Sequence, residues 1–211
     1  MDKLLEISEM LQKGRAKAVV KLVKEALEEG VPAQDILNNG LLAGMNIVGD
    51  LFKKEEVFVP EVLVAARAMS KGIEELQPYL QDGETNNLGT AIIGTVKGDL
   101  HDIGKNLVKI MLEGKGIEVV DLGTDVTAEA FVEKAKEVNA DIICCSALLT
   151  TTMDEMEKVV KLVREENLDV KIMIGGAPVN QQFCDAIGAD YYTSDAATAS
   201  DVAKAILEGK K

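Results

Sequence analysis

The chain has 211 residues, 47% hydrophobic and 28% charged, a balance typical of globular proteins with one large core or two small ones. Its formal net charge of −13 argues against nucleic acid and anionic membrane surfaces as partners. No apolar run approaches the roughly eighteen residues that a membrane span requires, and the N-terminus lacks the continuous apolar core of a signal peptide. The three cysteines form no framework and are expected to be reduced, so the sequence predicts a cytoplasmic protein.

The N-terminal part of the chain has the three- and four-residue apolar periodicity of amphipathic helices. We predict a short helix near residues 2–12 and three longer ones, the second ending at Gly30 and the fourth following Pro60. These helices predict a four-helix bundle over residues 1–84, with a linker at 78–88 rich in turn-forming residues. The apolar stripes of the three longer helices are Val19, Leu22, Val23 and Ala26; Leu37, Leu41, Met45, Val48 and Phe52; and Val62, Leu63, Ala66, Met69, Ile73 and Leu76.

Residues 85–211 have a different pattern, in which short β-branched runs alternate with helical stretches. This alternation predicts an α/β domain with a doubly wound, five-stranded parallel sheet of flavodoxin-like type. Ligands bind at the carboxyl ends of the strands in such sheets. The predicted strands are 90–96, 117–123, 140–148, 170–176 and 189–195.

The only histidine, His101, follows the first predicted strand. A histidine beside an aspartate is most often a hydrogen-bonded structural pair. A metal site built from protein alone is not favoured, because zinc needs three or four protein ligands and the adjacent Cys144 and Cys145 point to opposite faces of a strand. A tetrapyrrole-like macrocycle supplies its own equatorial nitrogens, so for such a group one axial imidazole is sufficient.

Three spaced motifs carry a family resemblance: Asp99-x-His101-x-x-Gly104, Ser146-x-Leu148 and Gly175-Gly176. Forty-one residues separate Gly104 from Ser146, and twenty-six separate Leu148 from Gly175. This arrangement resembles the cobalamin-binding fingerprint of corrinoid proteins and methionine synthase. Residues 49–69 are similar to part of the helical cap in methyl-transferring members, so the resemblance covers nearly the whole chain.

The resemblance implies a cobalamin bound with its own base displaced and with His101 as the lower axial ligand of cobalt. A carboxylate two residues away can accept the other ring N–H of a histidine ligand and fix its tautomer. The implied relay is His101, Asp99 and Thr152, the last six positions after Ser146, where relatives often have serine. The other implied cofactor contacts are Asp102, Ile103, Leu148 and Thr150, together with Gly104 against the corrin ring, Ser146, Gly175 and Gly176 in the slot for the nucleotide tail, and Phe52 and Val59 over the upper face.

For two of these groups the residues alone also support plainer explanations. Ser146, Gly175 and Gly176 could be ordinary turn and packing residues. Phe52 and Val59, which flank a charged turn, could simply close the core of the bundle.

The resemblance implies that the protein is a methyl carrier, which is expected to catalyse no reaction without its partner enzymes. Its implied partners are a substrate-specific methyltransferase, an acceptor methyltransferase for folate or a thiol, and a reductive activation protein. Methylamines, betaines, methanol and aromatic methyl ethers all remain candidate donors. A mutase-type cobalamin subunit is less expected, because the sequence shows no radical-enzyme barrel domain. A cobalamin-sensing regulator is less expected, because the sequence shows no basic DNA-binding segment. A receiver-like or other flavodoxin-like module without cofactor is not excluded by fold alone.

Overall fold

The computed structural model describes residues 2–80 and 88–209. The chain divides into two compact units, one of Met1–Asn86 with Gly114–Gly116 and the other of Asn87–Glu113 with Ile117–Lys211. The predicted domain boundary between residues 84 and 85 lies outside the described residues, as does most of the predicted linker, so both stay predictions.

The N-terminal unit is built from the four predicted helices. The third helix is not uniform, because a π-helical stretch interrupts it, a feature that periodicity did not predict. The last helix is followed by a short 3-10 turn at Gln77–Tyr79, which overlaps the start of the predicted linker. The helical segments are Lys3–Gln12, Ala16–Glu28, Ala33–Asp35, the π stretch Ile36–Leu42, Ala43–Lys53 and Val59–Leu76.

The core of this unit contains most of the predicted apolar stripes. Leu63 is an exception, because its side chain is 47% exposed and lies outside the buried face of its helix. Phe52 and Ile73 are half-buried. The buried core residues include Ile7, Leu11, Val19, Val23, Leu41, Met45, Val48, Val62, Met69 and Leu76.

The second unit contains the five predicted strands, all parallel, although each is shorter than its β-branched run. The strand order is β2-β1-β3-β4-β5, the predicted doubly wound arrangement. The direction of winding therefore reverses between β1 and β3. The strands are β1 (Thr90–Thr95), β2 (Glu118–Asp121), β3 (Ile142–Ser146), β4 (Lys171–Gly175) and β5 (Tyr191–Tyr192).

Helices cover both faces of the sheet and enclose two separate apolar clusters. Cys145 belongs to the cluster around Phe131 and Ile143, whereas Cys144 belongs to the cluster around Ile142 and Leu112. The two neighbouring thiols therefore lie on opposite faces, as predicted, and burial raises the pKa of Cys144 to about 12. The helices are Ile103–Gly114, Ala128–Glu137, Met153–Glu165, Gln181–Ile187 and Ala196–Gly209.

Over residues 2–80 and 88–209, no helix combines the length and the apolar character needed to cross a membrane.

Candidate functional site at the carboxyl ends of β1, β3 and β4

The three sequence motifs lie at one edge of the sheet. Thr95 at the end of β1 pairs with Ser146 at the end of β3, and Ser146 pairs with Gly175 at the end of β4. Each motif begins at or just beyond these paired residues. Because β1 and β3 flank the reversal in strand order, the motifs meet where such sheets bind ligands.

His101 is fixed through one ring nitrogen and leaves the other available. Its Nδ1 lies 2.7 Å from Oδ1 of Asp99, and its side chain is 52% exposed. An ionised carboxylate can only accept, so Nδ1 carries the proton and donates it. The lone pair is then on Nε2, the nitrogen free to coordinate a metal.

Asp99 has no exposed surface, and five donors surround its carboxylate. Oδ1 accepts from the ring and the backbone N–H of His101, and Oδ2 accepts from the backbone N–H groups of Leu148 and Leu149 and from the Thr152 hydroxyl. Burial alone raises the pKa of Asp99, but these hydrogen bonds, chiefly that from Leu148, outweigh burial and hold the pKa well below its usual range. Asp99 therefore stays ionised and keeps His101 in the metal-binding tautomer.

Thr152 ends the 3-10 turn Thr150–Thr152 that links β3 to its helix. Its buried hydroxyl oxygen lies 3.0 Å from Oδ2 of Asp99 and 2.9 Å from the carbonyl oxygen of Leu149. One hydroxyl proton can serve only one of these acceptors at a time. The structure thus brings the predicted trio His101, Asp99 and Thr152 together, whereas Thr150 is exposed.

Four large apolar side chains around this trio are exposed. Leu100 and Ile103 flank His101 in the chain and are 73% and 77% exposed, and Leu148 and Leu149 donate to Asp99 while their side chains remain accessible. We call these four residues the apolar rim. Exposed apolar groups gathered in one place mark a binding site, and a large, mostly apolar ring would cover them.

The motif glycines differ in what surrounds them. A Cβ added at Gly176 would lie 1.8 Å from the carbonyl oxygen of Ala147, and the φ of Gly176 is +132°, so no other residue fits there. A Cβ at Gly175 would approach the Thr193 carbonyl oxygen to 3.2 Å. Gly104 lies in the first turn of a helix, and its Cβ would face open space, so protein packing does not require a glycine there.

Asp102 and Ser146 are the remaining predicted contacts in this unit. Asp102 stabilises the start of the helix after His101, because Asn106 donates to it from its backbone and its side chain. Among the described residues, the Ser146 hydroxyl has no hydrogen-bond partner, although its carbonyl oxygen accepts from Val96. That hydroxyl is therefore available to a ligand.

Phe52 and Val59 lie in the N-terminal unit, at the ends of two consecutive helices. Phe52 is in the last turn of Ala43–Lys53, and Val59 is the first residue of Val59–Leu76. Both are half-buried. The neighbouring Phe58, which the sequence analysis did not single out, is 65% exposed.

Sequence reasoning also missed Thr95, Asp125 and Lys105. The buried hydroxyl of Thr95 donates to the carbonyl oxygen of His101 at 2.8 Å. Asp125 contacts the chain just before His101, and the buried Lys105 pairs with Asp121 at the end of β2, at 2.6 Å. None of the three stands in a motif, and only the pairing of β1 with β2 brings Asp121 and Asp125 to this edge.

The arrangement fits a group that brings most of its own metal ligands. Across residues 2–80 and 88–209, no three His, Cys, Asp or Glu side chains cluster as a metal site would require. One available imidazole nitrogen, the apolar rim and the empty space beside Gly104 match the predicted macrocycle instead.

Comparisons with known proteins point to the same group. A family model described as a B12 binding domain matches residues 89–202, and a second B12 binding domain model matches residues 4–77. Dimethylamine corrinoid protein 1 from Methanosarcina mazei is 47% identical over 210 residues, which is 98% of this chain and 97% of that protein. Trimethylamine corrinoid protein 2 from Methanosarcina acetivorans is 47% identical over 188 residues, 87% of each chain.

A solved structure extends these matches to the fold. A chain of the methanol:cobalamin methyltransferase complex MtaBC from Methanosarcina barkeri superposes with a TM-score of 0.91 at 32% identity, covering 99% of this chain and 80% of that one. The match therefore includes both units.

Proposed function

Because the chain belongs to the family of cobalamin-binding corrinoid proteins, we propose that it receives a methyl group from a substrate-specific methyltransferase and presents it to an acceptor methyltransferase. The observation that carries this proposal is the His101–Asp99 pair, which leaves one imidazole nitrogen free beside residues whose large apolar side chains are exposed. The reactive centre of the bound cofactor is a cobalt ion that can accept and release a methyl group. The protein contributes binding, orientation and exclusion of water.

His101 is the proposed lower axial ligand, through Nε2. Asp99 accepts the hydrogen bond from Nδ1 of His101 and so leaves Nε2 directed at the cofactor as the donor nitrogen. Thr152 and the N–H groups of Leu148 and Leu149 keep Asp99 ionised. The three residues therefore act as one unit, in which the buried carboxylate fixes the tautomer and the orientation of the imidazole.

The remaining residues are proposed to enclose the cofactor. Asp102, Ile103, Gly104, Leu148 and Thr150 would lie near the ring. Ser146, Gly175 and Gly176 would line the slot for the nucleotide tail, whose base His101 replaces on the metal. Phe52 and Val59 of the N-terminal unit would shield the upper face from water.

The proposed methyl donor is a methylamine. The support is the identity of 47% to proteins named for dimethylamine and trimethylamine, against 32% to the chain from the methanol complex. The further proposed partners are an acceptor methyltransferase for folate or a thiol and a reductive activation protein. We place the exchange in the cytoplasm, because the three cysteines are free and buried and such thiols are typical of reducing compartments.

The ligation is tested by reconstituting the full chain with hydroxocobalamin and comparing wild type with His101→Ala. We expect both to bind the cofactor, but the axial-nitrogen signature in the visible spectrum should be lost in the variant. Added imidazole should restore the signature in His101→Ala and change nothing in wild type, which controls for misfolding. Identical spectra for the two proteins would show that His101 does not coordinate the cobalt.

The donor is tested with the cofactor reduced. Purified dimethylamine, trimethylamine and methanol methyltransferases are each added with their substrate, and methylation is followed spectroscopically. A rate with the methanol enzyme that exceeds the rates with both methylamine enzymes would contradict the methylamine proposal.

A further inference from the structure

Asp125, in the loop after β2, makes two hydrogen bonds to the segment that carries His101. Oδ1 of Asp125 accepts a hydrogen bond from the backbone N–H of Gly98 at 2.7 Å. The backbone N–H of Asp125 donates to the carbonyl oxygen of Asp99 at 3.0 Å. One residue in the loop after β2 thus binds two residues of the loop after β1, on the N-terminal side of His101.

Asp125 also has an unfavourable backbone conformation. Its φ is +57°, in the left-handed region. For a residue other than glycine this conformation costs free energy, and it persists only where the surrounding structure enforces it. Asp and Asn tolerate this region better than other non-glycine residues. In this conformation the N–H and the carboxylate of one residue reach two adjacent peptide groups of the other loop.

Backbone hydrogen bonds on either side of Asp125 fix its position relative to the sheet. The backbone N–H of Thr95 donates to the carbonyl oxygen of Gly123 at 2.9 Å, and the carbonyl oxygen of Thr95 accepts from the N–H of Val126 at 3.0 Å. These bonds extend the pairing of β1 and β2 up to the His101 segment. Asp125 is therefore tied to the sheet and can hold Gly98 and Asp99 in a fixed place relative to it.

Asp125 reaches the imidazole only through other residues. Its side chain is exposed and bonds to Gly98, whereas the carboxylate that bonds the ring belongs to Asp99. Gly98 itself has a φ of +79° and is the third residue of a turn closed by a hydrogen bond from Asp99 to Val96. If the bond to Gly98 were lost, this turn could open, and the Asp99 carboxylate would shift with it.

We propose that Asp125 is a positioning residue for the axial ligand, holding the turn at Gly98 so that Asp99 presents the His101 imidazole to the metal. This inference rests on the proposed function, because it presumes that His101 coordinates cobalt. It assigns to Asp125 a share in the equilibrium between coordinated and released imidazole, exerted through the backbone of Gly98 and Asp99.

The test uses the full chain, prepared with ¹⁵N-labelled histidine, reconstituted with hydroxocobalamin and reduced to Co(II), in which electron paramagnetic resonance distinguishes the labelled imidazole nitrogen from the nitrogen of the cofactor's own base. Asp125→Gly tolerates the left-handed backbone and removes only the side-chain acceptor. We expect it to lower the ratio of coordinated to released imidazole about tenfold, the effect of one lost hydrogen bond to a charged group. Asp125→Asn keeps an oxygen acceptor and should restore most of the ratio, with bound cobalamin equal in all three proteins.

A second measurement needs no cofactor. In the cofactor-free protein, hydrogen exchange of the Gly98 amide should accelerate in Asp125→Gly, while the amides of β4 exchange at the wild-type rate. If Asp125→Gly does not fold, Asp125→Asn provides the test. Its neutral acceptor makes a weaker hydrogen bond than a carboxylate, so the ratio of coordinated to released imidazole should fall by a smaller amount.

The outcomes separate this inference from the proposed function. A wild-type nitrogen signature in Asp125→Gly, with that signature absent from His101→Ala, overturns the role of Asp125 alone. A wild-type protein whose only axial nitrogen is that of the cofactor's own base overturns the ligation itself. Loss of the signature in Asp125→Gly together with accelerated exchange across β4 would show general destabilisation and would also overturn the positioning role.

Discussion

The hydroxyl oxygen of Thr152 lies 3.0 Å from Oδ2 of Asp99, a carboxylate with no exposed surface. Thr152→Val keeps the shape of the side chain and removes this donor, so we expect the cofactor-free protein to lose about 1 to 2 kcal/mol of unfolding free energy. Thr152→Ser keeps the hydroxyl and should retain the axial-nitrogen signature of wild type. Urea unfolding and the spectrum of the reconstituted protein check both. Equal stability of the Val variant and wild type would contradict a stabilising hydrogen bond from Thr152 to Asp99.

Asp99→Asn is expected to damage both the fold and the ligation. An amide has only one acceptor oxygen, so either orientation places its NH₂ group against N–H donors of His101 or of Leu148 and Leu149. We expect a loss of about 2 to 4 kcal/mol in unfolding free energy. Where the NH₂ faces the ring, His101 should take the other tautomer and lose the free Nε2 lone pair. Asp169→Asn, which changes an exposed carboxylate before β4, is the matched control and should leave stability and spectrum as in wild type.

The two motif glycines Gly176 and Gly104 should respond to alanine in opposite ways. Gly176→Ala places a Cβ against the Ala147 carbonyl in a backbone conformation that alanine avoids, so we expect a loss of at least about 3 kcal/mol or no folded protein. Gly104→Ala meets open space within a helix and should stabilise the cofactor-free protein by about 0.5 to 1 kcal/mol. Thermal unfolding measures both effects.

Gly104→Ala should nevertheless bind the cofactor more weakly. If the ring occupies the space beside this residue, the added methyl group should lower cobalamin affinity about tenfold. Titration with hydroxocobalamin measures this affinity. Unchanged affinity would place the ring elsewhere.

The ion pair of Lys105 and Asp121 should appear as a pH dependence of stability. Burial raises the pKa of Asp121, but the hydrogen bond from Lys105 and then that from the Gly123 N–H outweigh burial and leave the pKa lowered. A lowered folded-state pKa adds stability above the unfolded value of about 3.9, and this stability is lost as the pH falls through the folded value. The difference in unfolding free energy between wild type and Lys105→Met should therefore shrink as the pH falls below about 4.

The size of this effect is set by burial. Lys105 is 2% exposed, so at neutral pH we expect Lys105→Met to cost about 2 to 4 kcal/mol. Lys109 lies 3.6 Å from the same carboxylate but is partly exposed, and Lys109→Met should cost less than about 1 kcal/mol. Denaturant unfolding across the pH range measures both variants. A difference that stayed constant down to pH 3 would contradict the assignment to Asp121.

The sequence predicted features that depend on local pattern and missed those that depend on the pairing of distant segments. The five strands and their doubly wound parallel arrangement followed from β-branched runs and right-handed crossovers, and the opposed Cys144 and Cys145 followed from strand alternation. Periodicity could not reveal the π stretch Ile36–Leu42, because its apolar residues still recur at helical spacing.

Within the site, the family resemblance led to Asp99, His101 and Thr152 but not to the other groups that hold Asp99 and His101. The backbone donors Leu148 and Leu149 could not be predicted, since any residue type supplies an N–H. Thr95 and Asp125 act through backbone atoms of residues that only the folded sheet brings close. Whether Phe52 and Val59 cover the cofactor stays a prediction.

The apolar rim has a thermodynamic consequence. Its leucine and isoleucine side chains are in contact with water, and covering them would release that water. Cofactor uptake should therefore carry a negative change in heat capacity, beyond any contribution from the bond between imidazole and metal. Because the hydrophobic share of the affinity weakens on cooling, the protein should retain its cofactor less firmly in the cold than metal coordination alone would suggest.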